Sequence, residues 1–320
     1  MNKNRILVTG AAGFIGMHLC KSLLDDGYEV LGIDNMNNYY DPALKQARLD
    51  LLTPYEHFTF SKSDIANLTR LEENFKSFQP NKVVNLAAQP GVRYSIKNPH
   101  VYIQTNVVGF MNILECCRHN NVDGLIYASS SSVYGGNEKI PFSEDDRVDN
   151  PVSIYAATKK SNELMAYTYN HLYGLHTTGL RFFTVYGPWG RPDMAMYIFS
   201  DKMSKGESIP VFNDGKMKRD FTYIDDIIQG VRASLNENYP CEVFNLGNNN
   251  WEELMDVISI LEKEIGHKAE INFLDMQLGD VKKTYANIDR SAEKLDYKPS
   301  TDVDVGIKKF IEWYKLYTKS

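Results

Sequence analysis

The chain has 320 residues, 43% of them hydrophobic and 24% charged, with 35 Lys+Arg against 41 Asp+Glu and a formal net charge of −6. That length allows two domains, and the composition is that of a folded globular protein, which excludes disordered, collagen-like and coiled-coil classes. The acidic balance argues against a nucleic-acid partner, and no run of 18 uncharged apolar residues offers a membrane span.

The start of the chain, Met1 to Gly10, enters an apolar run directly, without the profile of a secretory leader. Residues 5–9 (RILVT) read as a buried strand, residues 15–24 as a helix ending at Asp25-Asp26-Gly27, and residues 29–33 (EVLGI) as the next strand. Residues 58–60, 82–86 and 125–128 read as three more strands, each after a helical stretch, and residues 177–183 as another. Such alternation predicts an α/β fold with a doubly wound, Rossmann-type parallel sheet covered by helices on both faces. After residue 180 the pattern breaks around Pro188, Pro192 and Pro210. A domain of residues 1–180 is therefore expected, with a smaller second one over 181–320, some of whose segments return to the first. The cysteines (Cys20, Cys116, Cys117, Cys241) include no Cys-x-x-Cys, which predicts a reduced, cytoplasmic protein. The seven histidines lack His-x-x-x-His spacing, so no metal site is expected.

The first chemical signal is Thr9-Gly10-Ala11-Ala12-Gly13-Phe14-Ile15-Gly16, between the first strand and helix. Glycines there let the backbone approach a pyrophosphate, whose charge meets the helix N-terminus; alone, such a turn is equally a packing device. Asp34 closes the second strand, where a carboxylate accepts from both adenosine ribose hydroxyls and repels a 2′-phosphate. Asn35, Met36, Asn37 and Asn38 supply no Arg for that phosphate, which favours NAD over NADP. Asp64 and Ile65 are candidates for adenine contact, or Asp64 is simply solvated.

The second signal is the Tyr-x-x-x-Lys of Tyr155 and Lys159. Residues i and i+4 share a helix face, and a nearby cation lowers a phenol towards usable acid/base chemistry; the plain alternative is a tyrosine resting on a lysine stem. Upstream, Ser129-Ser130-Ser131-Ser132 put hydroxyls at the carboxyl end of a strand, where a parallel sheet opens on its ligand crevice.

Taken together, these motifs resemble the extended short-chain dehydrogenase/reductase family along essentially the whole chain, and within it the nucleotide-sugar epimerases. The resemblance implies NAD on the glycine turn, Tyr155 as base, Lys159 as its modulator and nicotinamide-ribose anchor, and Ser130 as the hydrogen-bonding hydroxyl, with Ser129 and Ser131 left open by register. Asn85-Leu86-Ala87-Ala88 looks like the segment that flanks the cofactor. Related dehydratases carry an Asp-Glu pair, and decarboxylases a Glu, where Ser131 and Ser132 stand, so elimination and decarboxylation are not expected.

The run Arg181 to Ala195, with Thr184 and Arg191, is similar to that of UDP-glucuronate 4-epimerases; UDP-galactose epimerases place Asn at Thr184. Asn37 to Pro42 with Lys45 and Arg48, and Gln89 to Ser95 with Arg93, look like the same group. A UDP-hexuronate is the implied substrate, its carboxylate held by Thr184, Ser131, Ser132 and Arg191. Arg219 is the implied diphosphate ligand and Asp280 the uridine-ribose ligand, within a C-terminal nucleotide-sugar domain. UDP-glucose and UDP-N-acetylglucosamine (or its uronate) remain alternative substrates at this point. A non-catalytic NAD-sensing protein would typically lack Tyr155 or Lys159. Family members pair two helices into a homodimer, and the helix after Asn106 and that carrying Tyr155 have apolar residues on both sides, which buried packing within the monomer would also explain.

Overall fold

The computed structural model describes residues 4–319; Met1, Asn2 and Lys3, on which part of the reading of the chain's start falls, and Ser320 lie outside the described residues. Short aliphatic runs bounded by glycine and polar turns become strands: β1 (Arg5–Thr9), β2 (Glu29–Asp34), β3 (Phe58–Lys62), β4 (Lys82–Asn85), β5 (Gly124–Ser130), β6 (Thr177–Phe182) and β7 (Cys241–Leu246). They form one 7-stranded sheet in the order β7-β6-β5-β4-β1-β2-β3, and neighbouring strands are parallel throughout.

Helices α1 (Phe14–Asp25), α2 (Leu68–Phe78), α3 (Gly109–His119), α4 (Ile154–Tyr173) and α5 (Ile224–Glu237) cover the sheet. Strand side chains alternate between the two faces. Ile6, Val8, Val30, Val84 and Ile126 pack with Met17 and Leu23 of α1 and Ile227 and Val231 of α5. Leu7, Leu31, Ile33, Val83 and Leu125 face the other way, against Leu71 and Phe75 of α2, Phe110 and Ile113 of α3 and Ala166 of α4. This is the doubly wound α/β fold that the alternation predicts.

The chain builds outward from β1 to β3, then returns to the far side of β1 with β4. The carboxyl ends of β1 and β4 therefore flank the switch point at which such sheets bind ligands. Thr9 Oγ1 donates to Asn85 Oδ1 at 2.7 Å across that point.

Residues beyond 180 do not simply form a separate unit, because α5 and β7 complete the main sheet. The rest of that region carries three short pairings: Thr184–Tyr186 with Phe221–Tyr223, Lys218–Arg219 with Glu252–Glu253, and Ile209–Phe212 with Ile271–Leu274. The strand expected over 177–183 ends at Phe182 because Thr184 leaves the main sheet to pair with Phe221. No helix among the described residues is long and apolar enough to cross a membrane.

Candidate active site

Between β1 and α1 the turn is glycine-rich because larger residues do not fit. Gly10 has a φ of +72°, and a Cβ there would lie 2.8 Å from Ala87 N; one on Gly16 would lie 2.0 Å from Gly10 O. Gly13 precedes α1 without a side-chain cap, which leaves the first N–H groups of the helix to an anion. Gly10, Gly13, Phe14, Ile15 and Gly16 line a cavity together with Asp34, Asp64, Ile65, Leu86, Ala87 and Ala88.

Asp34 ends β2 in this cavity and accepts from Ala12 N at 3.2 Å and Met36 N at 2.9 Å. Burial raises its pKa, against those two N–H groups and the nearby Lys45 charge. The residues directly after Asp34 carry no cation, but the helix Pro42–Asp50 returns Lys45 to it, with Nζ donating to Asn37 O and Oδ1 at 2.8 Å each. Asp64 accepts from Asn35 Nδ2 at 2.9 Å and Ala66 N at 2.8 Å, and buried Ile65 packs where Gly109 leaves room for it.

Tyr155 and Lys159 lie in the first two turns of α4, whose N-terminus Ser153 caps by accepting from Ala156 N at 3.1 Å. Lys159 is 2% exposed. Its Nζ donates to Ala128 O of β5 at 2.8 Å, and burial lowers its pKa to about 8. Tyr155 is half-buried beside Ser130; burial raises its pKa, opposed by the Ser130 hydroxyl and by the Arg191 charge. The Arg191 charge thus reaches Tyr155 from the substrate side, while the Lys159 ammonium is held against the strand on the same helix.

The serine run divides. Ser129 Oγ donates inward to Glu163 Oε1 at 2.7 Å, and Arg181 grips the same carboxylate at 2.8 and 2.9 Å. Ser130 acts on Tyr155, while Ser131 and Ser132 line a second cavity with Arg93, Thr184, Arg191, Arg219 and Asp280. Every sugar-side residue expected from the sequence therefore borders one space. Val185, Arg191 and Met194 line both cavities and mark where they meet.

Several of these residues are already paired. Arg93 Nη2 bonds Asp280 Oδ2 at 2.9 Å. Arg219 Nη2 donates to Val281 O at 2.6 Å and Nη1 to Lys282 O at 3.1 Å; burial lowers its pKa, opposed by the Asp280 charge. Arg191 is held by Asp193 through two bonds, at 3.0 and 2.6 Å.

Other residues of the site lay within or beside the motif runs but were given no role there. Asp193 is one, and Tyr39, which donates to it at 3.0 Å, is another. Asn106, in a π-helical turn (Ile103–Val108), accepts from Gln89 N at 2.7 Å and donates to Thr158 Oγ1 at 3.1 Å, tying the end of β4 to α4. A single asparagine has no spacing to signal this. Arg48 is fully buried and joins Ala12 O (3.1 Å) to Trp189 O (2.7 Å) and Gly190 O (3.2 Å). Its role as a clamp between the glycine turn and the loop before Arg191 follows only from the fold.

Comparison with known proteins agrees with this geometry. Protein CapI of Staphylococcus aureus is 51% identical to this chain, covering 98% of it and 99% of CapI. UDP-glucuronate 4-epimerase 4 of Arabidopsis thaliana is 48% identical, over 98% of this chain and 75% of its own. The crystal structure of UDP-glucuronic acid 4-epimerase from Bacillus cereus, in complex with UDP-glucuronic acid and NAD, superposes with a TM-score of 0.93 at 38% identity, over 98% of this chain and 99% of that one. The sequence profile of the NAD dependent epimerase/dehydratase family matches residues 6–247, from β1 to just past β7. Since that match takes in the glycine turn, the serine run and the Tyr155–Lys159 pair, the chain belongs to the NAD dependent epimerase/dehydratase family.

Proposed function

We propose that this protein is an NAD-dependent 4-epimerase that interconverts UDP-glucuronate and UDP-galacturonate. The observation that carries the reading is the Ser130–Tyr155 pair beside the meeting of two cavities, one floored by the glycine turn and the other bordered by Thr184, Ser131, Ser132 and Arg191.

The first cavity fits NAD, because glycine at Gly10 and Gly16 lets the turn close tightly against neighbouring backbone and its helix N-terminus is open to a pyrophosphate. Bound there, NAD supplies a hydride acceptor for C4 of the sugar and afterwards the hydride donor. Gly10, Gly13, Phe14, Ile15 and Gly16 hold the pyrophosphate, Asp34 the adenosine ribose, Asp64 and Ile65 the adenine, and Lys159 the nicotinamide ribose, with Leu86, Ala87 and Ala88 flanking. Tyr155 takes the proton of the C4 hydroxyl while Ser130 hydrogen-bonds the same oxygen, and returns it once the keto sugar has presented its other face. Thr184, Ser131, Ser132 and Arg191 hold the sugar carboxylate, Arg219 the diphosphate, and Arg93 with Asp280 the uridine end. That carboxylate grip suits a β-keto acid intermediate, which loses CO2 when its carboxylate bond aligns with the carbonyl. Residues 1–180 hold the cofactor and most of residues 181–320 the nucleotide sugar.

The protein is read as a cytoplasmic homodimer. Its four cysteines are free, three of them buried, which suits a reducing compartment, and α4 exposes apolar residues for a partner copy. The deciding test incubates the purified protein with UDP-glucuronate, UDP-glucose and UDP-N-acetylglucosamine in parallel and separates the products. UDP-galacturonate formed in clear preference is the expected outcome; preferred turnover of UDP-glucose moves the function to a neutral-sugar epimerase.

A further inference from the structure

Arg191 borders both cavities with one edge of its guanidinium already occupied. Nε and Nη2 donate to Asp193 Oδ1 and Oδ2 at 3.0 and 2.6 Å. A guanidinium has five N–H donors in a plane, so the Nη1 pair and the second Nη2 hydrogen form another edge suited to a carboxylate. Asp193 is itself fixed: Tyr39 donates to Oδ2 at 3.0 Å. The Tyr39 hydroxyl occupies room left by Gly91, where a Cβ would lie 2.6 Å from it. Tyr39 also packs on Tyr94, with ring centroids 5.0 Å apart. The Asp193 carboxyl stays below the ordinary range because the Arg191 charge and hydrogen bonds, with that of Tyr39, outweigh its desolvation.

We infer that Asp193 is a positioning residue, which aims the free edge of Arg191 at the substrate carboxylate while Tyr39 keeps Asp193 in place. The inference rests on the UDP-hexuronate reading. An arginine on a long stem follows a carboxylate through many orientations; one pinned along its Nε–Nη2 edge presents its outer edge in one direction. This matters at the 4-keto stage. If the carboxylate rotates into alignment, the C5–C6 bond breaks, its electron pair moves through C5 to the C4 oxygen as an enolate, and CO2 leaves. C5 then takes a proton, and return of the hydride to C4 gives a UDP-pentose. Pinning Arg191 opposes that rotation, so Asp193 governs product identity without touching the reacting atoms.

The test compares wild type, Asp193→Ala and Tyr39→Phe. It reads kcat and KM for UDP-glucuronate, the ratio of UDP-pentose to UDP-galacturonate, and the inhibition constant of UDP-glucose. Asp193→Ala is expected to lower kcat/KM for UDP-glucuronate by roughly tenfold to hundredfold, the scale of one charge-assisted hydrogen bond. It should also raise the pentose ratio several-fold and leave inhibition by UDP-glucose within about twofold of wild type. Tyr39→Phe should move the same quantities in the same direction by less, with the Asp193 charge intact. Equal losses on both sugars, or an unchanged pentose ratio in both variants, would overturn the inference. A wild type inactive on UDP-glucuronate overturns the substrate reading as well, so the two failures are distinguishable.

Discussion

Lys159 carries its charge where burial makes charge expensive. Its folded pKa of about 8 lies below the ordinary 10.5. Below about pH 8 the lysine is protonated in both states, and the folded state bears the desolvation cost. Between about 8 and 10.5 the folded state releases a proton that the unfolded state keeps, so this group's contribution to stability rises with pH. The cost at neutral pH is roughly 3 kcal/mol, from 1.36 kcal/mol per pKa unit. Lys159→Met is therefore expected to melt higher than wild type at pH 7, with the gap shrinking towards pH 10.5 and turnover lost. Thermal melts at both pH values check this, and a lower melting point at pH 7 would contradict it. On the proposed reading, the lysine is a functional group retained against stability. Tyr155→Phe keeps the ring and removes the proton acceptor, so kcat should fall by at least about 100-fold while NAD binding persists. Near wild-type turnover would remove Tyr155 from its role.

At the scale of elements, two joints align the cavities. One is the closest approach in the glycine turn, where α1 meets the start of its own loop. Gly16→Ala places a methyl 2.0 Å from Gly10 O, and because both positions are backbone the clash is relieved only by moving α1. The expected loss is about 1–3 kcal/mol in denaturant unfolding, together with weaker NAD binding; wild-type values for both would show that α1 yields freely. The other joint is Arg48. It sits on the helix Pro42–Asp50, and its acceptors are three backbone carbonyls and the Tyr40 hydroxyl. Only the planar fork of a guanidinium reaches acceptors spread this way. Arg48→Lys should thus cost about 2–4 kcal/mol in stability, more than a surface exchange of the same kind, since it leaves buried carbonyls unpaired. A change below about 0.5 kcal/mol would show that the clamp is dispensable.

For the molecule as a whole, the apolar surface left uncovered is informative. On α4, Leu164 is 58% exposed, Tyr167 63% and Leu172 58%, and Ile103 and Val108 of the neighbouring π-helical turn are also exposed. Leu164 and Tyr167 are spaced i, i+3 and share a helix face. Burying such side chains against a second copy is worth about 1.5–3 kcal/mol each. The double variant Leu164→Glu with Tyr167→Glu should therefore halve the mass measured by light scattering while the circular dichroism stays unchanged. An unaltered mass would contradict a homodimer formed through α4.

What the sequence by itself determined is the part of the molecule whose physics is local. Glycine spacing at a strand–helix turn, a tyrosine and lysine four residues apart, and aliphatic runs of strand length depend on neighbours along the chain. They were enough for the parallel sheet, and they singled out Gly10, Asp34, Tyr155 and Lys159. Resemblance extended this to Thr184, Arg191, Arg219 and Asp280. Only the tertiary structure decided which serine faces Tyr155, because Ser129 and Ser130 differ in the side of β5 they occupy. It also decided the partners. Arg93 meets Asp280 across 187 positions, Tyr39 meets Asp193 across 154, and Arg48 meets Gly190 across 142. Nothing local records such meetings, since each forms only after burial of the two core faces has set the distances between elements. For the same reason β7 and α5 could not be assigned to the first sheet from their own residues. Their apolar faces suit either half of the molecule, and the open edge of β6, with the core beneath it, settled which half they completed.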